Sequence, residues 1–197
     1  MGTLFVDKLD PQSGTSLEIG SNGDTITIPS GATIANAGTA TGFGGTNTPA
    51  FDARASVNQT GLSNGGWTKV QFDTELFDVG GGYDAVNDKF VVPGGEAGKY
   101  FFTAFAKING ATSYGLMGTG MRITVNGAIR KQAINFAKNT VPTIYAEGKG
   151  VNCVLDLSVS DYVEAYVYYQ DVNGTAGSIT GSTDMDTFFT GYKLVEW

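Results

Sequence analysis

Histidine is absent from the 197-residue chain, and cysteine occurs once, at Cys153. The first absence excludes a Ser-His-Asp or Cys-His nucleophile and any imidazole-ligated metal. The second excludes an intrachain disulfide, and Cys153 sits in the alternating run Val151–Leu157, where a small buried hydrophobe is expected. Charge is sparse: 16% of residues are Asp, Glu, Lys or Arg, against about 25% in an average soluble domain. Acidic residues outnumber basic ones and the net charge is −7, which disfavours nucleic acid and anionic lipid as partners. No run approaches the roughly 20 apolar residues that span a bilayer. Met1–Lys8 offers no basic region followed by an apolar core, so a soluble protein without a secretory leader is expected.

What the chain does have is glycine, 29 residues of it, without the triplet spacing of collagen. Asn-Gly, whose turn needs positive φ at both positions, occurs at Asn22-Gly23, Asn64-Gly65, Asn109-Gly110, Asn126-Gly127 and Asn173-Gly174. Many short strands joined by tight turns follow, and the fold class is all-β.

The pattern divides the chain into three. Residues 1–34 form an N-terminal β-rich stalk: Leu17/Ile19 and Ile26/Ile28, with Ile34 following, are apolar i, i+2 pairs separated by Gly-rich turns. Strands of about five residues with one thin apolar face cannot form a core alone, so other copies of the chain are expected to cover these five side chains. Residues 35–48, almost wholly Ala, Gly, Thr and Asn, read as a linker. Residues 49–197 read as a ten-stranded sandwich head, with strands at 50–55, 68–72, 76–78, 89–92, 99–108, 121–126, 129–136, 151–159, 162–170 and 187–195. Tyr100, Phe102, Tyr166, Tyr168, Phe189 and Tyr192 are expected to supply both faces of the long strands. A two-layer sandwich has one interior, so the outward rows need a cover, and a threefold axis supplies it.

Phe72, Asp78, Tyr83 and Phe90, followed by Gly98, Tyr100 and Phe102, resemble the signature of the globular head of the complement first component's q subunit, a relative of the tumour necrosis factor jelly roll. The spacing from Phe90 to Gly98 is longer than usual, and Ala104 stands where a closing aromatic is expected. Asp161 and Val163 resemble the family's Gly-Asp-x-Val turn, and Phe189 with Gly191 its last strand. The resemblance implies a jelly roll, and a homotrimer as the working unit. Residues 23–34 resemble segments that precede the heads of structural proteins in marine and cyanobacterial phages. The implied setting is the surface of a phage particle, tail or capsid.

The expected function is therefore that of a virion structural protein, a trimeric fibre or knob for host-surface attachment, with no enzymatic activity. Its expected partners are its own copies, other virion proteins through the N-terminal segment, and a host-surface glycan or protein. A capsid decoration or head-fibre protein would share the fold; a polysaccharide-cutting tailspike is the enzyme alternative, with Asp84/Asp88 or Asp184/Asp186 as its carboxylates. Loops at the sandwich end, with Tyr114, Met117 and Tyr145, are the expected receptor contacts. No cofactor is expected except calcium, for which Asp84, Asn87 and Asp88, or Asp184 and Asp186 with Asp171 and Asn173, offer oxygen ligands. Gly115–Gly120 has no βα unit after it and reads as a flexible loop.

Overall fold

Period-two alternation over long segments leaves the backbone one way to satisfy its polar groups, pairing between strands. A computed structural model describes residues 9–35, 47–111, 115–136 and 144–194, and these contain thirteen strands and no helix. The chain separates into two units, Met1–Phe43 and Gly44–Trp197.

In the first unit the expected turns are present. Asp24 N–H donates to Ser21 O at 2.9 Å, Ser21 N–H donates to the Asp24 carboxylate at 2.7 Å, and Ala32 N–H donates to Pro29 O at 3.0 Å. The expected strands are not: no strand forms among residues 9–35 of the single chain, and Leu17, Ile19, Ile26, Ile28 and Ile34 are 46–59% exposed. The reason is the one that made the segment suspect, since a two-stranded ribbon is marginal in water without a partner surface.

The second unit is the sandwich. Its strands are β1 (Ala50–Arg54), β2 (Gln59–Leu62), β3 (Gly66–Lys69), β4 (Thr74–Val79), β5 (Tyr83–Asp84), β6 (Lys89–Val91), β7 (Gly98–Asn109), β8 (Leu116–Val125), β9 (Ala128–Phe136), β10 (Ala146–Leu157), β11 (Tyr162–Asp171), β12 (Gly177–Ile179) and β13 (Phe188–Lys193). One sheet of seven runs β2-β12-β7-β13-β1-β4, with β10 on the other edge of β7; a second of six runs β5-β6-β11-β8-β9, with β3 also on β11. Every pairing is antiparallel.

All ten expected strands are present, and three more join them. Short β2, β5 and β12 have four, two and three residues, too few for alternation to register. A larger correction concerns Gly115–Gly120, which is not a loop: β8 begins at Leu116, and Gly118, Thr119 and Gly120 are buried within it. The segment at β9, whose apolar spacing also admits a helix, is a strand joined to β8 through Asn126-Gly127, with φ of 51° and 77° as a two-residue hairpin demands.

The core is aromatic. Phe51 stacks on Tyr83 at 4.8 Å and Phe90 at 5.2 Å, and meets Phe189 edge-on at 5.0 Å. Phe72, Tyr100 and Phe102 are fully buried around them, each side chain contributing about 1.5–3 kcal/mol by burial. The sandwich closes at this density because Gly191 faces Phe102: a Cβ there would lie 2.4 Å from the ring.

Candidate functional site

The residues that carry the family resemblance build framework. The Asp78 carboxylate accepts the N–H groups of Gly82 and Tyr83 at 3.2 and 3.1 Å, and the Tyr83 hydroxyl donates to Phe72 O at 2.9 Å. Phe72, Asp78 and Tyr83 are thereby latched together across a separation of 11 residues, and burial raises the Tyr83 phenol far above its usual range. Tyr100, its phenol pushed up to about 12 by burial, donates to Glu96 O at 2.5 Å. Asp161 accepts Ser158 N–H at 2.8 Å and the Asn126 amide at 2.7 Å, and Asn126 in turn accepts Tyr162 N–H at 3.0 Å. Those bonds, the Ser158 amide first, hold the Asp161 carboxyl below its usual range. Val163, which follows, is buried.

The residues proposed for calcium are drawn to other partners. Asp84 accepts both the N–H and the side-chain amide of Asn87, at 3.0 and 2.8 Å, which lowers its pKa. Asp88 lines a recess of about 230 Å³ with Asp73 and Gln71, and burial raises its pKa. Asp186 pairs with Lys107 at 3.2 Å; Asp171 accepts Asn173 N–H at 2.8 Å. Among the described residues no three acidic or thiol groups converge as a cation would require.

Of the expected receptor residues, Tyr114 lies outside the described residues. Tyr145 is exposed immediately before β10. Met117 is not a loop residue but part of β8, lining a recess of about 180 Å³ with Phe136, Ile144 and Glu147.

Sequence reasoning did not assign the two outward faces of the sandwich. Tyr100, Phe102 and Phe189 point inward, while Tyr192, Tyr166 and Tyr168 point outward, and Phe101, Phe105 and Phe188 join the outward set. Across the seven-stranded sheet the register aligns Val154, Phe101, Tyr192, Ala50 and Val79 on five successive strands. Val154 is 57% exposed and Val79 50%. Beside that row lies a second containing Thr103, Thr190, Asp52 and Phe77, and then Phe105 stacked on Phe188 at 5.7 Å. Asp52 is anomalous: its Oδ1 is buried without a hydrogen-bond partner, and burial raises its pKa.

The outward face of the six-stranded sheet has a different chemistry. Lys69, Tyr166, Arg122 and Gln132 form one cross-strand row, and Trp67, Tyr168, Gly120 and Ile134 the next. The Arg122 guanidinium lies between two rings, 4.5 Å from Trp67 and 4.8 Å from Tyr166. Glu164 accepts Lys69 Nζ at 2.6 Å and the Tyr166 hydroxyl at 3.0 Å. Period two makes such faces legible in principle, but only the register says which residues share a row.

No family model and no curated protein match this chain. Solved structures do. Murine APRIL at pH 5.0 superposes with a TM-score of 0.53 at 14% identity, over 74% of this chain and 98% of that one. The globular domain of zebrafish complement 1qA gives 0.50 at 15% identity, over 75% and 98%. The head is a jelly roll of this kind. The likeness extends to the fold, and at these identities to nothing finer.

Proposed function

We propose that the protein is a non-enzymatic attachment head of a bacteriophage virion, working as a homotrimer in which the outward face of the seven-stranded sheet is covered by sister chains. The observation that carries this reading is the five-strand row Val154–Phe101–Tyr192–Ala50–Val79, continued by Phe77 at 47% exposure. Contiguous apolar surface on a sandwich that already has a full core marks an interface. A trimer, the unit the family resemblance implies, places every copy of the face against a neighbour. The same need is written in the N-terminal unit, where Leu17, Ile19, Ile26, Ile28 and Ile34, together with Leu9, are exposed and suit docking to other virion proteins or to sister chains. The phage setting rests on the resemblance of residues 23–34.

The test is sedimentation of the whole protein at micromolar concentration, beside the double substitution Val154→Asp and Phe77→Asp. The expected outcome is a trimer for the wild type and a folded single chain for the variant, with circular dichroism unchanged. A wild type that sediments as a well-behaved single chain sinks the reading. Electron microscopy of particles carrying the protein then locates it on tail or capsid.

A further inference from the structure

The face of the six-stranded sheet holds a charge that has no counter-charge among the described residues. Arg122 makes no ion pair and no hydrogen bond among the described residues; its Nε is buried without a partner, and its guanidinium is flanked by the Trp67 and Tyr166 rings. Two neighbouring charges, Lys69 of the same row and Glu164 of the adjoining one, are spent on each other at 2.6 Å. One positive charge is left over locally on a protein of net charge −7. Such an arginine fixes a planar donor fork in one orientation, the geometry that reads a carboxylate.

Its surroundings restrict which carboxylate. Beside it, Tyr168 meets Trp67 at 5.5 Å and Phe136 at 5.6 Å, and Phe136 is 58% exposed. Rings in this position present apolar faces of the size of a pyranose, and Gln170, which accepts the Tyr168 hydroxyl at 3.2 Å, carries an amide on the same strand. A flat site with one cation, ring faces and amides suits a ligand with one carboxylate, an apolar C–H face and several hydroxyls.

We infer that the Trp67–Arg122–Tyr168 face of the six-stranded sheet is a binding site for an acidic sugar, a uronate or sialate residue of a surface glycan, with its carboxylate on Arg122. This names the receptor chemistry of the attachment reading and takes its biological setting from it. The overall negative charge does not forbid the contact, because at physiological salt charges beyond about 8 Å are largely screened.

The full-length protein is titrated with tetragalacturonate, sialyllactose, neutral maltotetraose and sodium sulfate, following tryptophan fluorescence and calorimetric heat. Sedimentation of the same samples reports the oligomer independently. The expected result is millimolar or tighter binding of at least one acidic oligosaccharide and none of maltotetraose. Arg122→Gln should weaken it about tenfold or more, Arg122→Lys should restore part of the loss, and both variants should melt like the wild type. No acidic-sugar binding at millimolar concentration, equal binding of maltotetraose, equal binding of sulfate, or an undiminished affinity in a folded Arg122→Gln protein each overturns the inference. A trimer without sugar binding would leave the attachment reading standing; a single chain that binds the sugar would do the reverse.

Discussion

A single carboxylate shows how the face of a sheet reveals its use. Asp52 lies in β1, flanked across the sheet by Thr190 and Phe77, with Oδ1 buried and unpaired. Burial raises its folded pKa above the unfolded value of about 3.9. The protonated form is thus favoured by folding. Its contribution to stability is fully present below about pH 4 and is lost as pH rises through the folded pKa. Asp88, raised for the same reason, adds a slope of the same sign. Urea unfolding between pH 4 and 7 should therefore show a smaller decline for Asp52→Asn than for the wild type; identical slopes would mean that the buried oxygen is hydrated in solution. At this scale the sequence was only partly informative. Aspartate in an alternating strand reads as an outward, solvated group, and nothing in Phe51-Asp52-Ala53 signals that neighbouring strands shield it.

Between strands, glycine does what no propensity rule anticipates. Gly118 and Gly120 made Gly115–Gly120 read as a loop, yet they let aromatic rings lie across β8: a Cβ at Gly120 would meet Tyr168 Cβ at 3.0 Å and Trp67 at 3.1 Å, and one at Gly118 would meet the Phe136 ring at 2.9 Å. The same device recurs on the other sheet, where Phe105 covers Gly148 and Gly150 of β10. Gly120→Ala should cost about 1–3 kcal/mol, because Ala133 O at 3.1 Å is backbone and cannot yield. Gly118→Ala should cost less, since the obstructing Phe136 is half out in solvent and can turn away. Denaturant midpoints of the two variants settle the order. Strands with dense alternation, β7, β10, β11 and β13, were legible because their side chains sort themselves by face. The ring-over-glycine contacts were not, because they join residues 18 to 53 positions apart.

For the molecule as a whole, the two units make unequal demands. The core lies entirely within residues 51–189, so a chain beginning at Gly44 should fold with an unchanged melting temperature. The six exposed aliphatic side chains of residues 9–35 then leave with the removed segment, and any loss of self-association measured by light scattering reports their share of the assembly. Composition and alternation by themselves determined that the chain is all-β, that it is turn-rich, that it lacks imidazole chemistry and intrachain disulfides, and that its aromatics suffice for one dense core. The spacing of Phe72, Tyr83, Phe90, Tyr100 and Phe102 pointed to the jelly roll, and all five meet in that core. Only the tertiary structure decided which aromatics face outward together, that Arg122 stands between two rings without a counter-charge among the described residues, and that residues 15–34 gain no strand partner among them. The physical reason is common to all three. Period two fixes which side of a strand a residue occupies, whereas rows, charge balance and pairing depend on register between strands far apart in the chain, and no local pattern encodes that register.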